Sequence, residues 1–331
     1  MSTKTKNIYD LLEEEINASD MSAEEKNKHL SVLVKMRGQK INLMVVGATG
    51  VGKSSTINSI FNTTVAKVGV GVDPETDDVE KFDFENLTVW DTPGLGDGAE
   101  EDAAHTKMII EKLSETDDDG NMLIDLVLVV LDASSKDMKT SCELIMNVLI
   151  PCLGKENGDR IMIGINQADM AMKGNHWDVE NNCPDDMLKE FLHKKAVSVR
   201  ERILESTGLK FKPMYYCAGY TDDDGTQRGA YNLTKLLREI LRIIPKDKRL
   251  AMVDTLNEDE TMWEYDDHER DYVDEINESF NESIWDCVCG AAETGAAIGI
   301  GIIGIPGMLV GGLLGGVVGC VKGIFKKVAN A

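Results

Sequence analysis

The stretch "GATGVGKSST" (residues 47–56) lies between an apolar run, "INLMVV" (41–46), and "INSIFN" (57–62). From Gly47 to Ser54 the spacing is G-x-x-x-x-G-K-S, the loop between a strand and a helix whose backbone N–H groups wrap phosphates. Glycines let the backbone approach an anion closely, and the helix that follows points its positive end at it. Gly47, Thr49, Gly50, Val51 and Gly52 form the predicted cradle, with Ser55 in the first helical turn. Lys53 would reach the β/γ-phosphates, and Ser54 would offer its hydroxyl to Mg²⁺.

Outward from this loop, apolar runs alternate with helical stretches. The predicted strands are "INLMVVG", "VEKFDF", "LTVWD", "DLVLVVLD", "RIMIGIN" and "PMYYCA", with helices near 53–61, 101–114, 137–149, 184–206 and 231–243. Several strands are apolar throughout, as expected when helices cover both faces of a parallel sheet. "VEKFDF" alternates instead, and its short "EN" link to "LTVWD" predicts an antiparallel edge hairpin. The pattern predicts an α/β fold with a doubly wound, mostly parallel sheet over residues 38–245, and ligands at the carboxyl ends of its strands.

Three of those ends carry chemistry. In "WDTPG" (90–94), Asp91 stands where a Mg²⁺-site carboxylate is needed, and Gly94 can present its amide to a γ-phosphate. In "GINQAD" (164–169), Asp169 could accept two hydrogen bonds from guanine, from N1–H and the exocyclic amine, a pair that adenine does not offer. Asn166 would brace that loop and touch the base, and Gln167 follows it in the base-binding stretch. In "YYCAG" (215–219), after Cys217, the Ala218 N–H could hold the guanine carbonyl.

Together GATGVGKS, DTPG, NQAD and CA resemble the G domain of the translation-factor-related P-loop GTPases. Era-like bacterial proteins of the YfjP type share the NQAD followed by a Trp, here Trp177. "GVGKSSTINSI" is also similar to the septin, Toc and GIMAP branch. The resemblance covers about residues 38–245 and implies GTP/GDP and Mg²⁺ as ligands, and GTP hydrolysis. It assigns the metal to Ser54, Thr76 and Asp91, and the catalytic contacts to Lys53, Thr76 and Gly94. Thr76 lies just before the edge strand, where the family places its switch threonine. Two positions depart from the pattern. Gln167 replaces the lysine of most relatives, and Leu95 stands where Ras-like proteins keep a water-orienting glutamine. Slow intrinsic turnover follows, unless a partner supplies the missing group.

The flanks differ from this centre. Residues 1–37 read as a helical extension, in which Ser22 and Glu25 form a capping box. Residues 246–290 form an acidic region with fourteen acidic side chains against one arginine after 251. There Val273, Ile276, Phe280, Ile284 and Cys287 recur at the spacing of an amphipathic helix. Residues 291–331 are a glycine-rich apolar tail. Gly307, Gly311, Gly315, Gly319 and Gly323 would form one smooth stripe on a helix, suited to close packing with a membrane or with another copy. Pro306-Gly307 splits the run, and each arm of ~15 residues reaches only ~22 Å of a ~30 Å bilayer core, which favours shallow insertion or self-association over a full span.

A net charge of −23 argues against nucleic acid as a partner. The seven cysteines show no C-x-x-C spacing for a zinc site, and their odd number points to a reduced, cytoplasmic setting, with membrane association through the tail. The leading expectation is a GTP-binding switch coupled to self-association, through G domains or tail, or to membrane contact. A non-hydrolysing septin-like assembly protein and a ribosome-assembly GTPase are the alternatives.

Overall fold

The computed structural model describes residues 7–18, 21–61, 79–96, 98–136, 138–221 and 227–284. Helices α1 (Ile8–Ala18) and α2 (Ala23–Arg37) lead into β1 (Ile41–Gly47), the loop at 48–52 and α3 (Lys53–Ile60). The edge hairpin of β2 (Glu80–Asp83) and β3 (Leu87–Asp91) follows, then α4 (Ala99–Leu113) and β4 (Leu126–Asp132). Next come α5 (Lys139–Leu144), a π turn at Ile145–Leu149, α6 (Ile150–Leu153) and β5 (Ile161–Asn166). Two small hairpins flank α7 (Asp186–Thr207) and β8 (Met214–Tyr215). They are β6 (Trp177–Asp178) with β7 (Cys183–Pro184), and β9 (Tyr220–Thr221) with β10 (Gln227–Arg228). Helices α8 (Leu233–Ile243) and α9 (Tyr272–Ser283) complete the described chain.

The central sheet has the order β2-β3-β1-β4-β5-β8. It is parallel throughout except for β2, which pairs antiparallel with β3, as the alternating "VEKFDF" predicts. All seven residues of β1 are buried because both faces are covered. Leu43 and Val45 face a cluster built with α3, α8, α1 and α9, while Met44 and Val46 face one built with α4, α5 and α7. Each buried aliphatic side chain contributes roughly 1.5–3 kcal/mol, so the continuous apolar strands set the doubly wound arrangement. The predicted helix at 137–149 runs on to Leu153. Pro151 lacks an N–H to donate within a regular α-turn, and the wider π turn sits immediately before it.

The flanking segments pack onto the sheet domain. Both carboxylate oxygens of Asp254 accept from the Ile8 N–H, at 2.9 and 3.1 Å. The predicted capping box is formed: Ser22 N–H donates to Glu25 at 2.9 Å, and Glu25 N–H to Ser22 Oγ. The acidic region is not one helix. Residues Arg249–Thr255 and Glu260–Trp263 form 3-10 turns, and only Tyr272–Ser283 is α-helical. Buried Trp263 donates to Asn257 O, and Asn257 N–H donates to Ile60 O, so these turns are pinned beneath α3. On α9 the apolar stripe of Ile276 and Phe280, extended by Ile284, is buried. Its acidic face meets α8 through Arg238–Glu275, and Lys235 of α8 pairs with Asp267 at 2.5 Å. Among the described residues no helix is long and apolar enough to cross a membrane. Cys287 and the glycine stripe lie outside them.

Candidate functional site

The parallel register brings Gly47, Asp91, Asp132 and Asn166 to one edge of the sheet. The loop at 48–52 turns there into α3, with Gly52 at the helix N-cap in the left-handed region (φ 87°) and no side chain capping the first turn. The positive N-terminal end of α3 is thereby turned to this edge, the arrangement that favours an anion. A Cβ on Gly52 would meet Asn166 Nδ2 at 2.4 Å, so no other residue fits without displacing the neighbouring loop.

Lys53 is buried, and its ammonium lies against the Gly47 and Ala48 carbonyls at 3.5 and 3.2 Å, folded over the loop that it would serve. Ser54 Oγ donates to Asp91 Oδ2 at 2.7 Å, which joins two of the predicted metal ligands. Asp91 is 1% exposed, and among the described residues its Oδ1 has no hydrogen-bond partner. Burial raises its carboxyl pKa, while the Ser54 hydroxyl and the Lys53 ammonium pull it down. A buried carboxylate oxygen without a donor, beside a hydroxyl, suits a hard cation that favours oxygen ligands. Thr76 lies outside the described residues.

The DTPG loop lies against the cradle. Thr92 N–H and Oγ1 both donate to Val45 O, and Leu95 N–H donates to Gly47 O while Thr49 N–H donates to Leu95 O. A Cβ on Gly94 would fall 2.1–2.6 Å from Thr49 Oγ1, Cα and N, so glycine alone permits this approach. Leu95 is buried in the core, turned away from a water-orienting role.

Asn166 laces three segments together. Its Nδ2 donates to Val51 O at 3.0 Å, and its Oδ1 accepts from Ala218 N–H at 3.0 Å. The Ala218 amide, expected from sequence to serve a guanine carbonyl, is thus held by Asn166. Gln167, left-handed at φ 59°, donates Nε2 to Gly50 O at 2.9 Å. It makes a tie to the phosphate loop without a lysine's charge. Cys217 pairs its backbone with Tyr231 in both directions. Burial, with the neighbouring Asp169 carboxylate next in weight, drives the Cys217 thiol pKa well up and disfavours its thiolate. Asp169 is half-buried, with its carboxylate beside the Cys217 thiol.

Sequence reasoning missed two groups. Tyr216, fully buried, shares a 2.7 Å hydrogen bond with Thr56 of α3, which itself donates to Gly52 O. From α4, His105 Nδ1 lies 2.7 Å from Gly94 O, and Asp102 accepts from Gly96 N–H at 2.7 Å. Their i, i+3 spacing just after DTPG is the only sequence signal for the second pair, and it needs the α4 direction to gain meaning.

The AIG1 family model matches residues 41–205. Septin-8 of Xenopus tropicalis is 33% identical over 81 residues, covering 22% of this chain and 19% of that protein. Human Septin-9 is 36% identical over 86 residues, 20% of this chain and 15% of its own length. The chain thus spans less than a fifth of these relatives. Among solved structures, Toc33 of Arabidopsis thaliana in complex with GDP and Mg²⁺ has a TM-score of 0.40 at 17% identity, covering 65% of this chain and 87% of that one. Era of Aquifex aeolicus bound to GDP and AlF₄⁻ has a TM-score of 0.39 at 17% identity, covering 62% and 58%.

Proposed function

We propose that this chain, whose residues 41–205 match the AIG1 family model, is a P-loop GTPase that binds GTP and GDP with Mg²⁺ and hydrolyses GTP slowly as a switch. The observation that carries the reading is the lacing by Asn166, which ties the phosphate loop at Val51 to the base-binding segments at 166–169 and 217–218. Phosphate and base are then read by one rigid edge. Ser54 and Asp91 would hold the cation, together with Thr76, and the cation would neutralise charge on the β/γ-phosphates. Lys53 would move from the Gly47 and Ala48 carbonyls to those phosphates, and the Gly94 amide would face the γ-phosphate. With Leu95 in the core, the position that follows DTPG offers no group to orient water, and turnover is slow for that reason.

Asp169 supports guanine over adenine because its carboxylate offers only acceptors to N1–H and the exocyclic amine. Asp169→Asn swaps one acceptor for a donor, so preference moves toward xanthosine nucleotides, by on the order of a hundredfold or more. Competition titration checks this, and equal affinity of the wild type for ATP and GTP refutes the guanine reading.

Beyond the sheet domain, the glycine-rich tail at 291–331 would mediate self-association or shallow membrane contact of a cytoplasmic protein, in step with nucleotide state. NQAD followed by Trp177 keeps an Era-like, YfjP-type affinity within the reading. A chain cut near residue 290 that sediments and hydrolyses GTP like the full chain at every concentration removes the tail from the switch. The absence of GTP turnover in the full chain, with binding intact, favours a septin-like assembly role instead.

A further inference from the structure

We propose that His105 and Asp102 of α4 are positioning residues that aim the Gly94 amide, and with it the preference for GTP over GDP; this rests on the nucleotide reading above. The backbone around Gly94 is anchored on both sides. Upstream, Thr92 N–H and Oγ1 hold Val45 O. Downstream, the single peptide joining Gly94 and Leu95 is gripped at both of its polar atoms. Its N–H donates to Gly47 O at 3.3 Å, and its carbonyl lies 2.7 Å from His105 Nδ1. The Gly94 N–H hangs between these two anchors, so their positions set its direction.

A carbonyl oxygen only accepts, so His105 must carry its proton on Nδ1 to make this bond. One turn earlier, Asp102 accepts the Gly96 N–H at 2.7 Å. The two side chains stand three residues apart, on one face of the helix. Together they fasten α4 to the loop that would sense a γ-phosphate. A γ-phosphate that draws the Gly94 amide moves the Gly94–Leu95 peptide, and these two bonds carry the motion into α4. GDP makes no contact at Gly94 and is bound without this strap.

The test is equilibrium titration of the full chain with fluorescent GDP and a non-hydrolysable GTP analogue, alongside His105→Ala, His105→Asn and Asp102→Ala. The wild type binds both nucleotides. His105→Ala weakens the analogue by about tenfold while GDP affinity stays within about twofold. His105→Asn, whose amide nitrogen can stand near the place of Nδ1, keeps the analogue within about threefold of wild type. Asp102→Ala shows the same selective loss to a smaller degree, and tests the strap independently if His105→Ala folds poorly. Equal weakening of both nucleotides, no weakening of either, or no rescue by Asn overturns the proposal and leaves the nucleotide reading standing. A wild type that binds neither nucleotide removes that reading, and this inference with it.

Discussion

Two aspartates lie buried at opposite edges of the same sheet. Asp91, at the carboxyl end of β3, is 1% exposed, and Asp125, just before β4, is 7% exposed. Asp125 has both oxygens matched: Oδ2 accepts from Asn42 N–H at 2.9 Å and Oδ1 from Lys248 Nζ at 2.7 Å. Asp91 has one oxygen on Ser54 and one with no partner among the described residues. A buried polar group is expensive unless it is paired. Asp125 therefore reads as structure, a clasp that ties β1 to the segment beyond α8. Asp91 carries an electrostatic cost that the protein alone does not offset, which a cation would relieve. The same residue type, at similar burial, takes opposite roles according to whether its second oxygen is satisfied.

This contrast makes predictions of opposite sign. Asp125→Ala has the largest effect on stability. It leaves the Asn42 N–H without its acceptor and breaks the pair with Lys248, destabilising by about 2–3 kcal/mol in denaturant titration, since the partly exposed lysine can turn to water. Guanine-nucleotide affinity of the folded fraction is unchanged. A variant as stable as wild type breaks the comparison.

Asp91→Asn goes the other way in the absence of metal. It removes a buried charge, so the melting temperature in chelator rises at neutral pH, while Mg²⁺-dependent nucleotide binding falls by tenfold or more, on the order of a lost charge-assisted contact. The pH dependence follows from the same group. Burial raises the folded-state pKa of Asp91 above its ordinary value near 3.8. The stability that it gives the metal-free fold is thus complete below that value and lost as pH rises through the raised one. Melting curves in chelator should show the Asn variant gaining on wild type across that window. A constant difference at all pH values contradicts the assignment.

The smallest effect sharpens the base end of the site. Gln167→Ala removes one half-exposed hydrogen bond, to Gly50 O, and weakens GDP binding by about two- to fivefold. Gln167→Lys keeps a donor of similar reach and stays within about twofold. A loss as large as that from Asp91→Asn would mean that Gln167 touches the nucleotide directly.

Much of this arrangement is legible in local sequence. Apolar runs "INLMVVG" and "DLVLVVLD" announce buried parallel strands because both faces demand hydrophobes, and "VEKFDF" announces the edge because only one does. The glycines of the phosphate loop and of DTPG are legible too, by their motifs, and the structure shows why they are needed: a Cβ at Gly52 would meet Asn166 and one at Gly94 would meet Thr49. In the acidic region the spacing of Val273, Ile276 and Phe280 marks α9, whereas the 3-10 turns before it are set by contacts with α3 some two hundred residues earlier, such as Asn257 with Asn58 and Ile60, which no local pattern shows.

By itself, then, the sequence determined the layered α/β order, the phosphate loop and the identity of the residues at the sheet's carboxyl edge, since each depends on neighbours in the chain and on whether a side chain meets water or core. Only the tertiary structure decided which polar atoms are matched. Asn166 reaches Val51 and Ala218 across 115 and 52 residues, Asp125 finds Lys248, and Asp91 keeps one oxygen without a donor. Hydrogen bonding is short-ranged and directional, so no spacing along the chain reveals it until the sheet register has brought the partners within about 3 Å.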